Sequence, residues 1–183
     1  MDLLQSLSWI DLAIIVVLAV GVFAGFTQGT IFYLLNSLAL LIAFVVSAQL
    51  TEPLLDLLGF WTAFTPESRQ LIVFFLLFVG LSVASWFVIW ATYRRTRLPI
   101  PKQIDEIGGA ILGLLYVALF ISLHLVVLDS FFLGGGEATG WLEGYYVELN
   151  ESLIIGFFRE TIIPVAGFVM RPFVPDEIAD LLV

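Results

Sequence analysis

The side chains able to do chemistry inside the apolar part of this chain are few. His124, the single histidine, stands about one and a half helical turns before Asp129, and Asp11 reaches the same depth if both of their apolar runs cross a bilayer. An imidazole that titrates near neutrality beside a carboxylate is how ion-coupled transporters pass protons. His124 with Asp11 or Asp129, and Asn36 as a further polar group, therefore form one candidate polar or proton site. A plainer arrangement fits the same spacing and is the one expected here. In it His124 is satisfied by one hydrogen bond between helices, both aspartates sit at the water boundary, and Asn36 bonds across to a neighbouring helix.

Other chemistry is largely excluded. The absence of Cys removes disulfides, thiolate metal sites and cysteine nucleophiles together. One His, with no HExxH, no GxSxG and no paired carboxylates inside an apolar run, leaves no catalytic residue, metal site or cofactor to assign, so a non-enzymatic protein is expected. Gly134, Gly135 and Gly136 open GGGEATG, which lacks the lysine of a phosphate-cradling loop and reads as a hinge. A net charge of -9, from 16 acidic against 7 basic residues, argues against a nucleic-acid partner.

The elements that must position these groups follow from composition. With 61% hydrophobic and 13% charged residues and a mean hydropathy of +1.08, the chain predicts an all-α membrane protein whose partner is the lipid bilayer. Four transmembrane helices are expected at about 9–27, 31–50, 70–93 and 104–132, making a domain over 1–133, with an acidic, amphipathic, interfacial helical tail over 134–183. The opening MDLLQ lacks the basic region of a cleavable signal, so the first run is expected to stay as a span. The second run should end near Gln49 to Pro53, and LLDLLGFW beyond it is too short to cross and suits the interface. Thr65 and Pro66 look like a cap and first position of the third helix. In the tail, Arg159, Glu160 and Pro164 interrupt an apolar run, which predicts a surface-lying segment with Leu153, Ile154, Phe157 and Phe158 on its apolar face.

Small residues mark where helices could meet. Gly21, Gly25 and Gly29 recur every four residues, as do Gly109 and Gly113, and Gly80 pairs with Ala84. These faces are expected to support self-association as a homo-oligomer or docking to other membrane proteins. Four bases, Arg94, Arg95, Arg97 and Lys102, cluster between the third and fourth runs. The positive-inside rule then puts the 94–103 loop in the cytoplasm and both termini in the periplasm of a bacterial cell. Asp105 and Glu106 complement the dipole of the fourth helix, and Asp105 could also pair with Arg94, Arg95 or Arg97.

The hairpin WIDLAIIVVLAVGVFAGFTQGTIFYLLNSLALLIAF and the later IDEIGGAILGLLYVALFI resemble the two signature regions of the CvpA family, the colicin V production proteins. The resemblance is carried by Asp11, by Gly25 and Gly29 of the GFTQG turn, and by Asp105, Gly109 and Gly113 of a D-x-x-x-G-x-x-x-G pattern. It covers Trp9 to Leu128 and leaves the acidic tail outside. Where family members carry bases, this chain has Thr27, Gln28, Glu106 and Tyr116. The resemblance implies a bacterial inner-membrane protein of about four spans, associated with colicin V production or export and with envelope homeostasis, to which no reaction is attached.

Overall fold

The structure is a computed structural model and describes residues 8–59, 66–93, 101–133 and 141–170. Among these residues the secondary structure is helical throughout. The helices are α1 (Trp9–Gln28), α2 (Thr30–Leu57), α3 (Pro66–Tyr93), α4 (Lys102–Leu133), α5 (Trp141–Glu151) and α6 (Leu153–Phe157). A π-helical turn over Phe158–Ile162 leads from α6 into α7 (Ile163–Met170). The first four are long and apolar enough to cross a membrane, and the all-α, four-span architecture predicted from the sequence is the one found.

Local chemistry explains the boundaries. Ser8 and Asp11 form a reciprocal capping box at the start of α1: the Asp11 N–H donates to Ser8 Oγ (3.2 Å) and the Ser8 N–H to Asp11 Oδ2 (2.9 Å). Gly29 alone separates α1 from α2, at a φ of 90° that an L side chain rarely adopts. Pro66 is the first residue of α3, as its fixed φ favours. One expected boundary is wrong. The second helix runs on through Pro53 to Leu57, because a proline near a helix end removes a single hydrogen bond, and solvent can satisfy the freed carbonyl there.

In space the helices line up in the order α1, α4, α2, α3. Sequence neighbours α1 and α2 touch little, and α3 lies mainly on α2, reaching α4 through Phe75 on His124 and Phe78 on Phe120. The core gathers Leu40 and Phe44 of α2, Phe78 of α3 and Leu123, Leu125 and Leu128 of α4. The Phe44 ring stands edge-to-face on Phe74 (5.4 Å) and Phe78 (5.7 Å). Polar side chains within the helices mostly bond back along their own helix: Ser47 Oγ donates to Ala43 O (2.7 Å), Thr51 Oγ1 to Ser47 O (2.7 Å) and Ser122 Oγ to Ala118 O (2.8 Å).

The tail folds back onto α1 and α4, with α6 against α1 and the π turn and α7 against α4. Its apolar residues are divided between the bundle and the outside. Ile155 and Phe158 are inside, whereas Leu153 and Phe157 are 57% and 55% exposed. Ser152 starts a new helix here, its hydroxyl accepting the Ile155 N–H (3.2 Å), which sets the phase of α6 afresh. The π turn follows, with the Ile163 N–H reaching back five residues to Phe158 O. Pro164, lacking an N–H, could not have continued the normal ladder.

Candidate functional site

Two polar junctions fasten the ends of a glycine seam between α1 and α4. Along the seam Gly21, Gly25, Gly109 and Gly113 bring backbone against backbone. A Cβ on Gly25 would run into the Gly109 carbonyl and stand 3.0 Å from Gly113 Cα, and one on Gly109 would stand 2.8 Å from Gly29 Cα. A Cβ on Gly21 would fall 2.9 Å from Gly113 O. These glycines are occupied within one chain rather than open to a partner. Gly80 is different, since among the described residues no atom outside its own helix backbone lies within 4 Å of where its Cβ would be, so it packs against none of the described helices.

At the turn end of the seam, Asp105 of α4 supplies the cap that α2 lacks in its own sequence. The Thr30 N–H donates to Asp105 Oδ1 (2.8 Å) and the Thr30 hydroxyl to the Asp105 carbonyl (2.9 Å), while the same carboxylate fills the space where a Gly29 Cβ would stand. Lys102 is exposed and pairs with Glu106 at 3.5 Å. Arg94, Arg95 and Arg97, with any pairing of Asp105 to them, lie outside the described residues.

At the other end Asp11 is enclosed by protein. Its side chain is 0% exposed and accepts four hydrogen bonds. Oδ2 takes the Ser8 N–H (2.9 Å) and hydroxyl (3.0 Å), and Oδ1 takes the Ser152 hydroxyl (2.6 Å) and the Ile154 N–H (3.0 Å). One carboxylate thus caps α1 and pins the first turn of α6. A carboxylate can be buried only when its oxygens are filled in this way. Nearby, Arg159 grips Asp129 through Nε (2.9 Å) and Nη2 (2.7 Å) and reaches Asn150 Oδ1 through Nη1 (2.5 Å). The Tyr146 hydroxyl donates to Asp129 Oδ1 (2.9 Å), and its ring stacks on Phe132 at 3.9 Å. Burial, joined by the bond to Asp129 and its charge, pushes the Tyr146 phenol up to about 12. Trp9 Nε1 donates to Glu148 (2.6 Å), a third tie between α1 and the tail.

The groups proposed as a proton relay are therefore not brought together. His124 packs edge-on against Phe75 at 4.9 Å, and among the described residues it bonds to neither aspartate. Asn36 donates to Phe32 O in its own helix (2.8 Å) rather than across to another. No group of three or more His, Cys, Asp or Glu able to hold a metal occurs among the described residues. Sequence reasoning missed Ser8, Ser152, Tyr146, Asn150 and Arg159 as partners. Ser8-x-x-Asp11 does spell a capping box, and Ser152 before an apolar run is a cap signal of the same kind.

The family model described as "Colicin V production protein" matches residues 10–163. The match includes the whole seam, the Asp105 junction, and Asp11 with its tail partners Ser152 and Ile154, while Ser8 and Trp9 lie just before it. It runs past Leu128 through Ser152 and Arg159, so the tail up to the π turn is part of the shared unit and not outside it, as the resemblance alone had suggested. Comparison with curated proteins and with solved structures returned no match.

Proposed function

This multi-pass membrane protein belongs to the colicin V production protein family, and from that premise we propose that it is a non-enzymatic assembly or interaction partner in the bacterial inner membrane, serving toxin production or export and envelope homeostasis. The observation that carries this reading is the unequal use of the helices. The glycine faces of α1 and α4 are spent on each other, whereas α3 is held by α2 and turns Gly80 and Ala84 outward between Leu76, Val83 and Phe87. That is the remaining small-residue face on which a helix of a second copy or of another membrane protein can settle. In the proposed orientation the Asp105 junction and the basic loop face the cytoplasm, and the Asp11 junction with the tail faces the periplasm.

A transporter or channel subunit built on Asn36, His124 and Asp129 has less support, since Asn36 and Asp129 are each engaged by local partners away from His124. The chain has no Cys, so single cysteines report contacts cleanly. Oxidative crosslinking in native membranes should give a higher-mass species with Ala84→Cys and none with Val16→Cys on the exposed face of α1. Equal yields at both positions, or none at Ala84, refute the assignment of α3 as the docking face.

A further inference from the structure

Beneath the Asp11 junction a cavity of about 250 Å³ opens between α1, α4, α5 and α6. Most of its wall is apolar, and Ala13 and Val17 at its edge are exposed on the side that faces lipid. Two polar side chains line it, His124 and Tyr145. Neither has a hydrogen-bond partner among the described residues, although the imidazole sits inside a membrane-spanning helix with one face against Phe75. Polar groups in such surroundings are costly unless something completes their bonding, and apolar pockets with one or two convergent polar groups are the usual form of a ligand site.

We infer that this cavity binds a neutral single-chain amphiphile, its hydroxyl or carbonyl oxygen at His124 and Tyr145 and its chain along Val17, Phe120 and Ile121. The volume holds about eight methylene-sized groups, which suits a chain segment and not a bulky ring system. His124 and Tyr145 lie toward the end of the bundle where Trp9 bonds to Glu148, so the polar end of the ligand meets the headgroup region and the chain points into the bilayer. The charge of the surroundings selects a neutral head. Glu148 and Glu151 stand exposed on this side, and the base of the junction, Arg159, is already committed to Asp129 and Asn150. A carboxylate or phosphate head would meet that negative charge, and among the described residues no Lys or Arg lines the cavity.

The test uses the full chain in nanodiscs with a diazirine-bearing hexadecanol and the matching diazirine-bearing palmitic acid. Labelling by the alcohol should concentrate on peptides carrying Ala13 to Val17 and Ile121 to Leu125, be competed by unlabelled hexadecanol, and exceed labelling by the acid about tenfold. His124→Phe keeps a ring against Phe75 but removes the hydrogen bond, and should weaken competition by about tenfold. Ile121→Trp fills the cavity and should abolish focused labelling. Label spread evenly over lipid-facing residues such as Val83 and Phe87, equal labelling by the acid, or focused labelling unchanged in His124→Phe would each overturn the inference.

Discussion

Removing the Asp11 carboxylate should release the tail before it unfolds the bundle. In Asp11→Ala the backbone N–H of residue 11 can still donate to Ser8 Oγ, so what is lost at α1 is the return half of the capping box, the bonds from the Ser8 N–H and hydroxyl to Oδ2, worth about 1 kcal/mol because Ser8 can turn to water. The tail side is costlier. The Ser152 hydroxyl and Ile154 N–H, at 2.6 and 3.0 Å from Oδ1, lose a charged acceptor, and Ser152 is buried. Hydrogen bonds to charged groups contribute about 1.5–3 kcal/mol each, so docking of α6 should weaken by about 4 kcal/mol, a rise of about a thousandfold in the open population. Amide hydrogen exchange in nanodiscs measures this directly. Exchange at Ile155 and Phe158 should accelerate by that order, while Phe44 and Phe78 in the core stay protected. Asp11→Asn separates the two roles. Its remaining oxygen can still serve Ser152 and Ile154, its amide nitrogen faces the Ser8 N–H, and the tail should open less than in Asp11→Ala. If exchange across 152–158 in Asp11→Ala stays within threefold of wild type, the carboxylate is not what fastens the tail.

Two further outcomes follow from distances and charges already described. Gly109→Ala forces a Cβ to 2.8 Å from Gly29 Cα, so α1 and α4 must part by about half an ångström or more, at about 2–3 kcal/mol. Denaturation in detergent micelles should show that loss, with Gly80→Ala, which meets open space, within about 0.5 kcal/mol of wild type. The Tyr146 phenol is raised from 10.0 to about 12 by burial and its bond to Asp129. A raised pKa in the folded state means that its contribution to tail docking is complete below about pH 10 and is lost as pH climbs through about 12. The difference between the phenolate absorbance titrations of wild type and Tyr146→Phe isolates this group and should be centred near 12; a difference curve centred near 10 would contradict the geometry.

The spans were legible because twenty apolar residues without charge have few places to go other than a bilayer, and proline or a polar break marks most of their ends. The glycine spacing foretold close approach but not its partner. A stripe at every fourth residue is the same whether it meets a second copy or a helix later in the same chain, and only the fold reveals that Gly25 faces Gly109. Asp11 was misplaced because an acid beside Trp9 at the start of an apolar run reads as a boundary residue, although Ser8-x-x-Asp11 held the cue to its buried role. The tail face was misjudged for a different reason. Extrapolating one helical period from Leu153 assumes an unbroken helix, and a fresh cap at Ser152 with a π turn before Pro164 rotates the side chains that follow.

The spatial order of the helices also governs how this protein can be made. The first hairpin leaves the ribosome with the smooth flank of Gly21 and Gly25 bare, and the strip that covers it, Gly109 and Gly113, is translated only after α2 and α3 are complete. Until then α2 begins without the acid that caps it, because Asp105 has not yet been synthesised. The nascent chain must therefore hold α1 unattached in the lipid or at the insertion machinery while two more helices enter, and α4 closes the structure by sliding between segments already in place.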